Sequence, residues 1–432
     1  MSIGEGRTAA SSTDVIVVGG GHSGLAMSHA LSRRSIEHLV LERGEVGDAW
    51  RTQRWDSLRL LTPNWMTRLP GQDYEGDDPD GYMSATEVAQ LLAAYAAKES
   101  VPLLTRTAVL RVSGAAGGWR VETNQGSWLC RVLVMATGGF SRPVLPPVAA
   151  QVPGSIAQFT AHSYRNPAQL DPGGVLVVGA SASGLQLAQE IRRSGREVTL
   201  AAGEHVRLPR LYRGRDVQWW MLACGVLDQR IEDQEDPVRA RRVPSPQLAG
   251  SPERASLDLN TLREEGVFIA GRLMGIRDGR GQFSGSLRNV CALADLKMDR
   301  LLDVFDEWAR TAPGAVGAQP AQRFAPTTVD ASPLLSLDLS RDIRSVVWAT
   351  GMQPDHRWLD APVFDRKGEL KHHGGIVDGV DGLYVLGLPF LRRRKSSFIH
   401  GTADDVRELA GHLHAYLDRR ACSTASRPLL TS

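Results

Sequence analysis

Two stretches of the sequence share one plan, and they decide the fold. Residues 15–44 read VIVVGGGHSGLAMSHALSRRSIEHLVLERG, and residues 175–204 read VLVVGASASGLQLAQEIRRSGREVTLAAGE. An offset of 160 residues (175 − 15) aligns them without a gap, so that Gly19 falls on Gly179 and Gly24 falls on Gly184. Each stretch has an apolar run, a glycine-rich turn, an amphipathic helical segment and a second apolar run. This is the βαβ pattern of a buried parallel sheet.

A shorter repeat follows each of these units. The segments VLVMATGG (residues 132–139) and SVVWATGMQPD (residues 345–355) are both apolar strands that end in Ala-Thr-Gly. This order of motifs predicts an α/β fold with two dinucleotide-binding, Rossmann-like domains, the second inserted into the first. We expect a disordered tail at residues 1–13, a discontinuous first domain at residues 14–150 and 343–432, and a second domain at residues 151–342.

The composition excludes several classes of function. The 432 residues carry 50 basic and 48 acidic side chains, a net charge of +2, which argues against a nucleic-acid binder. The four cysteines lie far apart, so a dithiol centre or a cysteine zinc site is not expected. No apolar run approaches about 18 residues, the length that a transmembrane helix needs. We therefore expect a cytoplasmic protein with no nucleic acid, no membrane and no metal among its partners.

The first glycine-rich turn predicts a dinucleotide site. Gly19 allows the tight turn, Gly21 lets the backbone approach a pyrophosphate, and Gly24 lets the helix pack closely on the strand. The pyrophosphate is expected at the helix N-terminus, which favours anions. Glu42 ends the next strand and can accept hydrogen bonds from ribose hydroxyls. The expected contacts also include three neighbours of these residues: His22, Ser23 and Arg43.

The second turn has the same plan with two changes. Its expected contacts are Gly179, Ser181, Ser183 and Gly184, and serine replaces the middle glycine. Ala202 stands where the first unit has Glu42, which removes repulsion toward a 2′-phosphate. Arginines follow and pair well with phosphate, which favours NADPH; they are Arg207, Arg210, Arg213 and Arg215. For each single arginine, a solvated basic loop stays the alternative.

The segment between the first unit and its Ala-Thr-Gly strand carries a more specific resemblance. Residues 47–71 read GDAWRTQRWDSLRLLTPNWMTRLPG. The chain resembles the class B flavin-dependent monooxygenases, above all the compact branch with the YUCCA-type indole-3-pyruvate monooxygenases. The matching positions are Trp50, Asp56, Leu58, Arg59, Leu60, Pro63, Leu69 and Pro70, and near the end Gly382, Leu383, Tyr384, Gly387, Arg393, Arg394, Gly401 and Asp405.

This resemblance implies FAD on the first domain and NADPH on the second. It implies an enzyme that oxygenates a small-molecule substrate with O2 through a flavin C4a-(hydro)peroxide. Residues 50–63 would run beside the isoalloxazine, and the helix after Gly401 would point its N-terminus at the flavin. The catalytic candidates are then Trp50, Thr62 and Asn64, and the remaining cofactor contacts are Arg59, Leu60, Thr137, Gly138, Thr350, Gly351 and Arg394.

Several alternatives stay open from the sequence. An NADPH-dependent flavoprotein reductase or oxidase would have the same two domains, and so would a non-enzymatic flavin redox sensor. The substrate atom is open between nitrogen, sulfur, a ketone and an α-keto acid, and so is the oligomeric state. Trp219 and Trp220 suit either packing or a substrate wall. Residues 392–395 suit either a solvated loop or an anion-binding lip, and residues 229–254 have the composition of a solvated excursion.

Overall fold

The computed structural model of the protein describes residues 10–425. Its α-helices are α1 (His22–Ser32), α2 (Asp48–Thr52), α3 (Ala85–Lys98), α4 (Ala182–Arg193), α5 (Val217–Ala223), α6 (Pro237–Arg241), α7 (Leu259–Glu264), α8 (Leu287–Thr311), α9 (Leu339–Asp342) and α10 (Thr402–Ala425). Short 3-10 turns lie at Asn64–Met66, Pro147–Gln151, Pro167–Gln169, Val226–Asp228, Ile231–Asp233 and Pro313–Ala315. Within residues 10–425, no helix is long and apolar enough to cross a membrane.

The strands alternate with these helices along the chain. They are β1 (Ser11–Val18), β2 (His38–Leu41), β3 (Leu103–Leu104), β4 (Val109–Ala115), β5 (Gly118–Thr123), β6 (Gly126–Met135), β7 (Arg142–Pro143), β8 (Ala157–Thr160), β9 (Gly174–Val178), β10 (Val198–Ala202), β11 (Val206–Arg207), β12 (Leu211–Tyr212), β13 (Arg215–Asp216), β14 (Pro246–Gln247), β15 (Phe268–Gly271), β16 (Leu273–Arg277), β17 (Arg280–Phe283), β18 (Ser336–Asp338), β19 (Ile343–Trp348), β20 (Met352–Gln353), β21 (Leu359–Asp360), β22 (His372–His373), β23 (Ile376–Val377) and β24 (Leu383–Val385).

The first sheet has a parallel centre in the order β3-β2-β1-β6-β24. Strands β4 and β5 extend it as an antiparallel meander onto β6. The centre is buried on both faces: Val15, Ile16 and Val17 have no exposed surface. Such continuous apolar strands are typical of a parallel sheet covered by helices. The βαβ unit predicted at residues 15–44 is therefore confirmed as β1-α1-β2.

The second sheet repeats this arrangement in five parallel strands. Their order is β15-β10-β9-β19-β8, and α4 follows β9 as α1 follows β1. In both sheets the strand of the glycine turn lies between the second strand of its unit and the Ala-Thr-Gly strand. The α/β class and the two Rossmann-like units are thus as predicted.

Two of the expected domain boundaries need correction. Strand β1 begins at Ser11, so residues 11–13 belong to the first sheet and not to a tail; residues 1–9 lie outside the described residues. Strand β19 pairs in parallel with β8 and β9, so residues 343–348 belong to the second sheet. The chain returns to the first sheet only at β21, beyond the pairing of β20 with β7. The expected start of the returning first domain at residue 343 was wrong, because β19, the strand before the second Ala-Thr-Gly, lies between β9 and β8 in the second sheet.

Residues 208–245 form an excursion from the second sheet, closed at its base by the pairing of β11 with β14. Its core packs on both domains. Trp220 is fully buried among Met66, Leu227 and Phe305, so packing, and not a substrate wall, accounts for this tryptophan. Residues 229–231 also bond to residues 392–394 through their backbones (Ile231 N to Arg392 O, 2.8 Å; Arg394 N to Gln229 O, 3.1 Å). This part of the excursion is therefore attached to the first domain.

Candidate functional site

Two helix N-termini meet at the carboxyl edge of the first sheet. Helix α1 begins at His22, directly after the glycine turn, and helix α10 begins at Thr402. The hydroxyls of Ser23 and Thr402 lie 3.1 Å apart, so the two N-termini open onto the same space. Unpaired backbone N–H groups and helix dipoles make such a place favourable for an anion.

Two of the three motif glycines in the turn are required for packing, and the third borders open space. Gly19 has a φ of +113°, and a Cβ there would lie 2.6 Å from the carbonyl oxygen of Ala136. A Cβ on Gly24 would lie 1.9 Å from the carbonyl oxygen of Gly19, so both positions require glycine for packing. A Cβ on Gly21 would meet nothing within 4 Å. The space in front of Gly21 is therefore open, and the expected approach of a pyrophosphate to this position stays a prediction.

Glu42 lies beside this turn and is held by it. Its two carboxylate oxygens accept hydrogen bonds from the backbone N–H groups of Gly20 (2.7 Å) and Gly44 (2.9 Å). Each oxygen keeps a second lone pair, so the carboxylate can still accept hydrogen bonds from ribose hydroxyls. Arg43 is exposed next to it, without an ion-pair partner among residues 10–425.

Unpartnered polar atoms surround the same space. Nε2 of His22, Oγ1 of Thr137 and both ring nitrogens of His400 are buried and have no hydrogen-bond partner within the described part of the chain. A buried polar atom without a partner costs about 1–3 kcal/mol, so such atoms point to a ligand that supplies the partner. Thr137 and Gly138 follow β6, at the carboxyl edge where the helix N-termini meet. These residues fit a dinucleotide.

The second turn has the geometry of the first. Gly179 also has a φ of +113°, and a Cβ there would lie 2.3 Å from the carbonyl oxygen of Ala349. A Cβ on Gly184 would lie 1.8 Å from the carbonyl oxygen of Gly179. Ser181 is the N-cap of α4 and makes no side-chain capping bond, and Ser183 is the second residue of that helix. The replacement of the middle glycine by serine therefore leaves the backbone of the turn unchanged.

Thr350 and Gly351 lie where the chain crosses between the domains. The hydroxyl of Thr350 donates to the carbonyl oxygen of Val144 at 2.5 Å, and the N–H of Val144 donates to the carbonyl of Gly351 at 2.9 Å. These bonds join the two crossing segments directly. Thr350 is thus a structural part of the junction between the domains, and a cofactor contact by this residue stays a prediction.

Three of the four arginines expected to bind a 2′-phosphate are already paired with carboxylates, which contradicts the expectation for these three. Arg207 is buried, and its guanidinium lies 2.7 Å from Asp258 and 2.7 Å from Asp295. Arg210 has no exposed surface and lies 2.6 Å from Asp216. Arg213 lies 2.9 Å from Asp306. These charges are neutralised inside the second domain, so they hold the excursion in place and do not face a ligand.

Another arginine lies beside the end of β10, directly after the neighbouring strand of the sheet. Strand β10 ends at Ala202, and the neighbouring strand β15 is followed by Arg272. The side chain of Arg272 lies beside Gly203: a Cβ built on Gly203 would be 3.8 Å from its Cγ. Arg272 is exposed, and no carboxylate among residues 10–425 pairs with it. The sequence reasoning missed Arg272 because the pairing of β10 with β15 brings together residues about 70 positions apart.

Residues 50–64 run between the two domains, but they do not all face the cofactor space. Trp50 packs against the core of the second sheet and against the core around α3. The side chain of Asn64 is buried and donates to the carbonyl of Asp78 at 2.9 Å, so this bond fixes the loop that carries Asp78. The amide oxygen Oδ1 of Asn64 is buried and has no hydrogen-bond partner among residues 10–425, so a catalytic role for Asn64 stays a prediction. Trp50 and Thr62 stay candidates.

Arg59 and Leu60 attach the same segment to the residues just before α3. Arg59 donates from its guanidinium to the carbonyl of Tyr82 at 2.6 Å, and the N–H of Leu60 donates to Met83 at 2.8 Å. The role of these two residues in the structure is to position the segment. A direct cofactor contact by either one stays a prediction.

Residues 392–401, which carry part of the motif near the end of the chain, pack at the start of α10. A Cβ on Gly401 would lie 1.9 Å from the carbonyl of Lys395, so only glycine fits there. Arg394 stacks on Phe390 and donates to Gln229 at 2.9 Å, and Lys395 pairs with Asp228 at 2.6 Å. Residues 392–395 therefore form an interdomain contact and not a solvated loop.

The buried histidines predict how stability depends on pH. Burial lowers the pKa of four of them to about 4 and that of His400 to about 3; the four are His22, His162, His356 and His372. Because a folded pKa below 6.5 means that the unfolded chain binds more protons, stability falls as the pH drops from 6.5 toward 4. The loss is on the order of 1 kcal/mol per group at pH 5.

This dependence is measured by thermal unfolding between pH 7.5 and 4.5. The variant His356→Gln should weaken it, because His356 is buried with an unpartnered ring nitrogen. The matched control His373→Gln should not, because His373 is exposed. Equal pH profiles for wild type and His356→Gln would contradict the assignment.

Comparisons with known proteins agree with this architecture. A family model described as pyridine nucleotide-disulphide oxidoreductase matches residues 16–213. An uncharacterized CzcO-like oxidoreductase from Geobacillus kaustophilus is 31% identical over 408 residues, which are 92% of this chain and 97% of that protein. A probable indole-3-pyruvate monooxygenase, YUCCA1 from Arabidopsis thaliana, is 31% identical over 183 residues, 41% of this chain and 44% of that protein.

A solved structure shows the same fold over nearly the whole chain. It is a flavin-containing monooxygenase from Stenotrophomonas maltophilia, with a TM-score of 0.66 and 21% identity. The match covers 94% of this chain and 99% of that one.

Proposed function

Because this chain belongs to the class B flavin-dependent monooxygenases, with a CzcO-like oxidoreductase as a full-length relative, we propose that it is an FAD- and NADPH-dependent monooxygenase of a small molecule. The observation that carries the proposal is the pair of glycine turns of equal geometry, one in each sheet, with the tryptophan segment of residues 50–63 packed between the two domains. The oxygenated atom of the substrate stays open.

The residues around the first turn fit FAD. The N–H groups at the start of α1 would hold the diphosphate in front of Gly21, and Glu42 would accept the ribose hydroxyls. His22 and Thr137 would find partners for their buried polar atoms. The N-terminus of α10 would stabilise negative charge on the reduced flavin. NADPH would lie on the second turn, with Ser181 at the diphosphate and Arg272 at the 2′-phosphate.

When bound, the two cofactors supply hydride transfer and the activation of O2. Together they would place one oxygen atom of O2 in the substrate and release the other as water, using the hydride of NADPH and one proton from solvent. The chain contributes position and exclusion of water. Trp50 and the contacts at residues 392–395 close the interface between the domains. His22 and His400 are neutral near pH 7 because burial lowers their pKa to about 4 and about 3, so neither brings an acidic proton to the site.

The purified protein is expected to carry FAD and to consume O2 with NADPH. Flavin is released by denaturation and identified by chromatography, and O2 uptake is followed with an electrode. A panel of an amine, a sulfide, a ketone and an α-keto acid is then tested with 18O-labelled O2. Incorporation of one labelled atom into one of these compounds would support the proposal. A protein that binds no flavin would contradict it.

Coenzyme choice tests the position of Arg272. The variant Arg272→Ala should lower kcat/KM for NADPH about 10-fold, the size of one charge-assisted contact, and leave kcat/KM for NADH unchanged. The matched control is Arg277→Ala, which removes an exposed arginine at the end of β16 and should change neither value. If NADPH and NADH respond equally to Arg272→Ala, the 2′-phosphate is bound elsewhere.

A further inference from the structure

Arg54 is a partly buried arginine without a carboxylate partner. One terminal nitrogen donates to the carbonyl of the adjacent residue Gln53 at 2.7 Å, and the guanidinium lies over the ring of Trp50 at 5.3 Å. No acidic side chain within residues 10–425 pairs with it, in contrast to the buried Arg207 and Arg210. Burial lowers the pKa of Arg54 to about 10, which leaves it charged at neutral pH.

This arginine lies where the two domains are tied together. Arg165, from the second domain, donates to the carbonyl of Arg54 and pairs with Asp56 at 3.0 Å. The N–H of Asp56 in turn donates to the carbonyl of Arg165 at 2.8 Å. The carboxylate of Asp56 is therefore paired with Arg165, and it does not neutralise the charge of Arg54.

His162 of the second domain adds a second unpartnered group. Its Nε2 is buried and has no hydrogen-bond partner in the described range. Burial and then the positive charges of Arg54 and Arg43 lower its pKa to about 4. His162 therefore lies close to both arginines, and neither arginine has an ion-pair partner among residues 10–425. A buried charge that lacks a partner is unfavourable, so an anionic ligand would stabilise it.

The neighbours of His162 show that this residue lies near the first glycine turn. The backbone of Phe140 hydrogen-bonds the imidazole, and Phe140 belongs to the loop that begins with Thr137 and Gly138. Arg43 directly follows Glu42, whose carboxylate accepts from Gly20. Phe140 and Arg43 therefore both flank the first glycine turn. His162 and the two arginines lie beside the same space that the turn leaves open.

We propose that Arg54 and His162 form an anion site for the diphosphate of a dinucleotide, beside the first glycine turn. The proposal rests on the proposed function, because that function places a dinucleotide there. Arg54 would contribute a charge-assisted hydrogen bond. His162 would donate from Nε2 in its protonated form, which a bound anion favours because opposite charge raises the pKa of an imidazole. Because His162 comes from the second domain, binding of this diphosphate would also stabilise the interface between the domains.

The favoured source is FAD, since Arg43 and Phe140 both border the first turn. The diphosphate of NADP+ has the same chemistry, so the experiment measures both. Apo-protein is titrated with FAD, followed by the quenching of flavin fluorescence, and the reconstituted protein is titrated with NADP+. The variants are Arg54→Gln and Arg54→Lys, with Arg33→Gln as the matched control because Arg33 is exposed.

We expect Arg54→Gln to raise the Kd of FAD about 10-fold or more, as for the loss of one charge-assisted contact, and Arg54→Lys to give a smaller rise. Arg33→Gln should leave it within about twofold. A normal Kd for FAD with a similar rise for NADP+ would support the same anion site with NADP+ as its ligand. Unchanged values for both would overturn the proposal. A wild-type protein that binds neither dinucleotide would instead overturn the proposed function.

Thermal unfolding separates this role from a merely structural one. If Arg54 is an unbalanced charge awaiting an anion, Arg54→Gln leaves the Tm of the apo-protein unchanged or raises it, and lowers only the stabilisation that FAD adds. If Arg54 only supports the fold, its loss lowers the Tm of the apo-protein, and Arg54→Lys does so less. That second result would overturn the proposal even where the Kd of FAD rises.

Discussion

The variant Gly21→Asp is expected to purify as a folded protein without FAD. Gly21 has an extended backbone conformation at the N-cap of α1, where aspartate is a favourable residue. Its Cβ meets no atom within 4 Å, so the substitution fits the apo-protein. The new carboxylate would stand in front of the turn, where the diphosphate belongs. Repulsion and desolvation should weaken FAD binding at least about 100-fold, or about 2.7 kcal/mol.

The measurement is the Kd of FAD for apo-protein, together with the Tm of the apo form. Gly154→Asp is the matched control, because Gly154 is an exposed glycine whose Cβ also meets nothing within 4 Å. It should bind FAD as the wild type does. Flavin occupancy at the wild-type level in Gly21→Asp would contradict the position of the cofactor.

Loss of Arg210 is expected to destabilise the protein strongly. Its guanidinium is fully buried, lies 2.6 Å from Asp216 and donates to the carbonyl of Leu61 at 2.8 Å. Asp216 also accepts from the hydroxyl of Tyr82 at 2.7 Å. Arg210→Ala would leave the buried carboxylate of Asp216 without its counter-charge. Breaking such a pair costs about 3–5 kcal/mol, which unfolding in denaturant would measure.

A second variant separates this ion pair from binding of NADPH. Arg210→Met combined with Asp216→Leu removes both charges and should recover much of the lost stability, because no buried charge is left unpaired. If the double variant binds NADPH with the wild-type preference over NADH, Arg210 is structural. A specific loss of NADPH binding with normal stability would restore Arg210 as a phosphate contact.

The fold could be predicted because its determinants are local in the sequence. A β-branched run, a glycine turn and an amphipathic segment specify one βαβ unit, and their repetition after 160 residues specified the second. The strict need for glycine at positions 19 and 24 appears in the structure as contacts shorter than 3 Å to a would-be Cβ. The atoms that impose this need belong to the same βαβ unit, as for Gly24, or to the segment that follows the neighbouring strand β6, as for Gly19.

The arginines show what the sequence could not specify. Whether an arginine binds a ligand depends on which acid lies near it, and the partner of Arg207 at Asp295 is 88 positions away. The sequence pattern of residues 207–213 is therefore the same for a phosphate site and for a set of internal ion pairs. Arg272 and Arg54 have no motif of their own. They emerge only when strand pairing and burial show which charges have no partner.

The central claim is that reduced flavin in this protein transfers oxygen to a substrate instead of releasing peroxide. Stopped-flow mixing of reduced enzyme and NADP+ with O2 tests it most directly. We predict a transient absorbing species that precedes oxidised flavin, that lasts longer with NADP+ than without it, and whose decay yields an oxygenated product from an amine, sulfide, ketone or α-keto acid. Reoxidation in a single step to oxidised flavin and hydrogen peroxide, with and without NADP+ and with every compound unchanged, would contradict the claim and identify an NADPH oxidase or reductase.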